Sequence, residues 1–310
     1  VKERSLVIAE NAIGINHQRD VINSKYVPVS LAYFDMLGFS EFLKQKCSDS
    51  PQEMMQIFYE LLLSLEREFH ISSTNQLKFK VISDGFMIWF ESQADEYFAR
   101  LIQITYFAKR YLNRYNFLVR GGIVKGDHYV LDDVIVSPAL VKAAILEKSA
   151  KVPKIKIEFE EARKLKEKVI HNYNNLGQEG VFIPELGKFL RFEREYLVED
   201  GPQDFILHPV HGVELQGYLR ENQIDQIPNC VALFKNYRDF LNANWNENLN
   251  SSSAVKEKFH YIIGQLNLYI DQNSAHLPAD WKITLRPTMA ERLKLLMKHF
   301  LASLFKCHNR

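Results

Sequence analysis

The chain has 310 residues, 46% hydrophobic and 25% charged, with 39 Lys and Arg against 38 Asp and Glu. This is the composition of a folded globular protein of one large or two ordinary domains. A net charge of +1 gives no basis for a nucleic-acid or anionic-membrane partner, which calls for clustered basic surface. The cysteines, Cys47, Cys230 and Cys307, are scattered and form no Cys-x-x-Cys pair, which argues against a zinc site or disulfide framework and fits a reducing cytoplasm. The opening apolar run Leu6-Val7-Ile8-Ala9 stops at Glu10, too short for a signal-peptide core, and no apolar stretch approaches a bilayer span. The expectation is a cytoplasmic protein with no membrane and no nucleic-acid partner.

Residues 1–27 show no clear period and read as an N-terminal arm. Tyr26 to Asp35 is rich in β-branched and aromatic residues and reads as a strand; it turns at Met36-Leu37-Gly38 into a short helix beginning Phe39-Ser40. Ser50-Pro51-Gln52-Glu53 places Ser at N-cap, Pro at N1 and Glu at N3, a capping box. Met54, Ile57, Phe58, Leu61, Leu62 and Leu65 then recur at helical spacing and predict a buried face. Leu77 to Ile82 and Phe86 to Phe90 read as strands joined by Ser83-Asp84-Gly85, which contains the Asp-Gly hairpin signal. A helix follows over about 94–114. Phe117 to Gly126 is a strand interrupted by glycines, which predicts a bulge or a close backbone approach. The order β-α-β-β-α-β matches a ferredoxin-like split βαβ arrangement.

Ser137-Pro138 starts another helix by the same capping logic, ending near Ala150. Pro153 to Ile157 is a strand, Phe159 to Ile170 a charged helix, and Gln203 to Leu207 the last strand of the domain. From Gln226 onward the pattern is helical, with segments Val231–Trp245, Ala254–Ile270 and Met289–Phe305 and a polar linker from Asn246 to Ser253. The fold expected is α/β (α+β): a mixed domain over 28–215 and a helical C-terminal extension over 226–310.

Phosphate-loop, dinucleotide, zinc-protease and hydrolase motifs are absent. His208 and His211 share a spacing but have no third ligand near in sequence and read as ordinary surface histidines. The informative pair is Asp35, which ends the first strand, and Asp84, at the tip of the hairpin. In a β-α-β-β sheet the first strand lies beside that hairpin, so both carboxylates can meet at one sheet edge. Hard oxygen donors there suit Mg2+ or Mn2+ rather than zinc. The turn after Asp35 leads into a helix, whose N-terminus beside such a site suits a polyphosphate. Taken singly, Asp35 could instead cap the helix and Asp84 could be a turn residue. Tyr33 shares the strand face of Asp35 and reads either as a nucleotide-pocket residue or as a core tyrosine. Arg120 could hold a phosphate or pair with an acid in the sheet; Lys154 and Lys156 form a cationic strand face, either solvated or meeting a triphosphate.

Tyr33-Phe34-Asp35-Met36-Leu37-Gly38-Phe39-Ser40 resembles the first metal motif of class III nucleotide cyclases. Ser83-Asp84-Gly85 resembles that family's second metal aspartate, and Arg120-Gly121-Gly122-Ile123-Val124-Lys125-Gly126 its Arg-x-Gly-x-x-x-Gly strand. Within the class, Ser137-Pro138-Ala139-Leu140, Leu146-Glu147 and Pro153-Lys154-Ile155 are similar to the pyrimidine nucleotide cyclases of bacterial anti-phage systems, in which one cyclase domain carries a helical tail. The resemblance implies cyclisation of UTP, or alternatively CTP, by two Mn2+ or Mg2+ ions held by Asp35, Asp84 and the Met36 carbonyl. Asp35 and Asp84 would be the catalytic residues, and Tyr33, Gly38, Phe39, Ser40, Lys80 and Arg120 would contact the nucleotide. It also implies a homodimer, and a cyclic product acting on a separate effector protein. The positions where the family carries a transition-state Asn and Arg are Val141 and Ile145 here. Lys80 stands where adenylate-specific relatives read the base, but its usual acidic partner position falls near Val134. An adenylate cyclase and a catalytically silent nucleotide-binding module are the alternatives.

Overall fold

The computed structural model describes residues 26–37, 39, 51–69, 77–82, 84–115, 117–131, 134–168, 197–207, 209, 227–248 and 252–285. Eight strands form a mixed sheet: β1 (Val27–Leu37), β2 (Leu77–Ile82), β3 (Gly85–Phe90), β4 (Leu118–Leu131), β5 (Val134–Val136), β6 (Ile155–Ile157), β7 (Leu197–Glu199) and β8 (Phe205–Leu207). Their spatial order is β2-β3-β1-β4-β6-β8-β7, with β5 paired to β4. Every pairing is antiparallel except β4 with β6. The run β2-β3-β1-β4 is the order that two β-α-β connections around a hairpin give.

Helix α1 (Pro51–Phe69) begins at the proline, and α2 (Asp95–Arg114) follows β3. Ser137 caps α3 (Pro138–Ser149): its Oγ accepts from the Leu140 N–H at 2.9 Å and lies 2.6 Å from Nδ1 of the buried His128. A further helix, α4, covers residues 159–168.

β1 alternates as a strand buried on both faces should. Ala32, Phe34 and Met36 face one core with Ile57, Phe58, Leu61 and Leu65 of α1, Leu101 and Ile102 of α2, and Ala162 and Leu165 of α4. Val29 and Leu31 face a smaller core with Met87, Trp89, Val124 and Ala139 and Ala143 of α3.

The glycines of β4 mark a close approach and not a bulge, because the β1–β4 register runs unbroken from Val27↔His128 to Leu37↔Leu118. A Cβ at Gly122 would stand 2.4 Å from the Ala143 carbonyl oxygen, and one at Gly126 3.1 Å from Ala139 Cα. The two glycines face two alanines one helical turn apart, so the α3 backbone lies directly on the strand.

β4 also continues past Gly126, where the sequence suggests its end, because Tyr129 to Leu131 pair with β5. Neither β5 nor β7 is anticipated by the sequence reading. The expected helix over 289–305, the Ser50 cap, the arm up to residue 25, and His208 and His211 lie outside the described residues.

Contacts divide the chain into two compact units, residues 1–237 and 238–310. The helix α5 (Ile227–Glu247) crosses that division. In the second unit α6 (Ser253–Gln272) buries Phe259, Ile262, Ile263 and Leu266. Its Asn267 side chain bonds both the N–H and the carbonyl of Ile283, each at 2.9 Å. Among the described residues no helix is long and apolar enough to cross a membrane.

Candidate functional site

Antiparallel register brings the site together. Asp35 is opposite Gly85 of β3 on one side and Arg120 of β4 on the other. Directly opposed residues share a sheet face, so Asp35 and Arg120 lie in one row. The next row on that face holds Lys80, Met87, Tyr33 and Gly122. Ile82 pairs with Gly85, which leaves Asp84 in the turn. The Met36 N–H donates to the Asp84 carbonyl at 3.1 Å, tying the turn to the end of β1.

The Asp84 carboxyl is within hydrogen-bonding reach of Asp35, and the Asp35 pKa is pushed up to about 6. Burial is the main cause, followed by the negative charges of Asp84 and Glu147; the Arg120 guanidinium opposes them. Arg120 is in ion-pair range of Asp35, at 3.5 Å from Oδ2, and its Nε is in ion-pair contact with Glu147 of α3, although neither Nε nor Glu147 Oε1 makes a hydrogen bond. Burial raises the Tyr33 phenol too, helped by Asp35, Glu147 and Asp84. The Tyr33 ring lies across Gly85: a Cβ there would stand 2.7 Å from its hydroxyl oxygen. A strand glycine at this point makes room for an aromatic ring beside the two aspartates.

Asp35, Asp84, Tyr33 and Arg120 therefore converge, with Lys80 in the adjoining row two strands from Tyr33. Phe39 does not present its ring to this place. It is buried in the core, its ring 6.3 Å from that of Phe117, so only its backbone could meet a ligand. The Met36 side chain is likewise buried on the opposite face, which leaves its carbonyl as the sole donor it could offer a metal. Gly38 and Ser40 lie outside the described residues.

Lys154 and Lys156 are drawn to acids of the β7–β8 connection: Lys154 to Asp200 at 2.7 Å, Lys156 to Asp204 at 2.6 Å. That accounts for their alternation without a triphosphate. Val141 and Ile145 are 60% and 61% exposed on the outer side of α3.

The residue not assigned from sequence is Glu147. Its signal is a carboxylate on the stripe Ala139–Ala143–Glu147, all three buried, since a buried charge on an apolar helix face must have a partner.

Two carboxylates and a main-chain carbonyl are hard oxygen donors, a set that suits Mg2+ or Mn2+. The crowding that raises the Asp35 pKa is the kind of negative excess a divalent cation offsets. Among the described residues no group of three or more His, Cys, Asp and Glu could hold a metal ion.

No family model matches the chain, and no curated protein matches it. Among solved structures it is similar to the catalytic core of a rhodopsin-guanylyl cyclase with converted specificity, solved in complex with ATPalphaS. The identity is 18%, the TM-score 0.34, and the match covers 46% of this chain and 82% of that one.

Proposed function

We propose that the chain is a nucleotide cyclase that converts UTP to 3′,5′-cyclic UMP and pyrophosphate. The observation that supports this most is the meeting of Asp35 and Asp84 at the end of β1, together with the cyclase-like motifs that carry them. In the reaction the ribose 3′-oxygen bonds to the α-phosphorus, the bond from that phosphorus to the oxygen bridging it to the β-phosphate breaks with its electron pair leaving on pyrophosphate, and the hydroxyl proton passes to solvent. Two Mg2+ or Mn2+ ions would supply activation of the hydroxyl and neutralisation of phosphate charge. Asp35, Asp84 and the Met36 carbonyl would hold them. Arg120, within reach of the carboxylates, is placed to meet phosphate, and Tyr33 narrows the space beside Asp35 in favour of a one-ring base.

Lys80 opposes Met87 on β3, and the adenine-reading partner position near it in the family pattern falls at Val134. That departure from the family pattern argues against adenine readout by the usual lysine and acid. CTP is the second substrate of choice. A homodimer would complete the site, with the exposed Val141 and Ile145 of α3 against a second copy. The resemblance further implies that the cyclic product activates a separate effector in anti-phage defence.

The test is incubation with ATP, GTP, CTP and UTP in equimolar mixture with Mn2+, and mass identification of products. Cyclic UMP is expected to dominate, and to disappear in Asp35→Ala and Asp84→Ala. Dominant cyclic AMP would overturn the pyrimidine assignment; no cyclic product from any nucleotide would overturn the cyclase reading itself.

A further inference from the structure

Arg120 lies between two carboxylates. Its Nε is in ion-pair contact with Glu147, although neither Nε nor Glu147 Oε1 makes a hydrogen bond, and its NH2 group is 3.5 Å from Asp35. The Glu147 side chain is 6% exposed, and a carboxylate so buried calls for a close partner. Its position is fixed from behind: Ala143, one turn earlier on α3, rests on Gly122 of β4, two residues along the strand from Arg120. The guanidinium bridges Glu147 and Asp35.

From this geometry we infer that Glu147 is a positioning residue: it holds the Arg120 guanidinium away from Asp35, so that the Asp35 carboxylate remains available to a divalent cation. The inference rests on the proposed function above, in which Asp35 is a metal ligand. Without the Glu147 carboxylate, the acid left in ion-pair range of Arg120 is Asp35. The guanidinium then closes on Asp35 and competes with the cation for its oxygens.

The experiment is calorimetric titration of the full chain with MnCl2 at pH 8, followed in parallel by the Mn2+ paramagnetic resonance signal. Wild type, Asp35→Asn, Glu147→Gln, Arg120→Gln and the double variant Glu147→Gln/Arg120→Gln are compared. Glu147→Gln is expected to weaken Mn2+ binding by about tenfold or more, the scale of losing a residue that orients a ligand. The double variant is expected to recover the wild-type affinity, because the competitor is gone. A merely structural Glu147 would not be rescued by a second deletion in the same cluster. Should Glu147→Gln fail to fold by circular dichroism, Arg120→Gln decides alone: equal or tighter Mn2+ binding supports the inference, and weaker binding overturns it. If Asp35→Asn abolishes binding while Glu147→Gln binds as wild type does, the positioning role falls and the metal site stands. If wild type binds no Mn2+, both fall.

Discussion

Asp35 is held at the edge of ionisation by its surroundings, and this sets function against stability. Its pKa in the folded protein, about 6, is above its ordinary value of 3.8. The folded state therefore binds the proton more tightly than the unfolded chain, and stability falls as pH rises from about 4 to about 6. Above that window the penalty is complete; below it there is none. In metal-free buffer, Asp35→Asn should melt above wild type at pH 8, with the difference shrinking through pH 6 and absent below about pH 4. Added Mn2+ should raise the wild-type melting temperature and leave the variant unmoved, as binding to the folded state alone requires. A variant that melts below wild type at pH 8 would show that the crowding of carboxylates is already relieved by other means. Gly85 supplies a second test of the same cluster. A methyl group there would overlap the Tyr33 hydroxyl and Cε2, at 2.7 and 2.8 Å, and the ring end is what can move. Gly85→Ala should therefore fold, displace Tyr33 and loosen the choice among bases, and Tyr33→Ala should do the same. Unchanged product ratios in both variants would remove Tyr33 from base selection.

At the scale of elements, the seam between α3 and β4 is what delivers Glu147 to the site. At Gly122 the added Cβ would meet the Ala143 carbonyl at 2.4 Å, and backbone yields less readily than the tip of a side chain. Gly122→Ala should lift α3 from the sheet, lower stability by about 1–3 kcal/mol and cost most of the activity. Gly264→Ala, with nothing within 4 Å of the added Cβ and inside α6, should be neutral or stabilising by comparison. Thermal melts of the two variants check the contrast. The same seam marks the limit of what the chain discloses in one dimension. The hairpin at Asp84 and the Ser137 cap depend on neighbours a few residues away, so their residue types reveal them, whereas β1 runs past the expected turn at Met36 to Leu37 because both residues pair with β4. The glycines of β4 reveal a close approach, but not that α3 is the element approaching. Glu147 is therefore visible only as a carboxylate on an apolar stripe, its partner Arg120 being set by long-range docking. Lys154 and Lys156 mislead for the same reason, since their acids lie on the β7–β8 connection, Asp200 being 46 residues beyond Lys154. The strands β5 and β7 have three residues each, too few to show a period, and exist because β4 and β8 offer them edges. Phe39 reads as a site residue from the motif around it, yet its ring completes the core beside Phe117.

For the whole molecule, the outer side of α3 supplies the argument for assembly. Val141 and Ile145 are one helical turn apart and 60% and 61% exposed, and Val136, just before the helix, is 46% exposed. Single exposed apolar residues are ordinary on protein surfaces. An apolar row is different, because in the proposed dimer a second copy seated there would bury it. Each Val or Ile side chain transferred from water into such a contact stabilises it by about 1.5–3 kcal/mol, and in a two-fold dimer every contact counts twice. Val141→Asp/Ile145→Asp should therefore convert a dimer to a monomer in sedimentation at micromolar concentration. Both positions are exposed, so its melting temperature extrapolated to low protein concentration should stay within the small range typical of surface changes, about 0.5 kcal/mol. Activity per wild-type chain should fall on dilution below the dimer constant, and the double variant should be inactive at every concentration. A monomeric variant with full activity would place the whole reaction within one chain and leave the apolar row to some other partner.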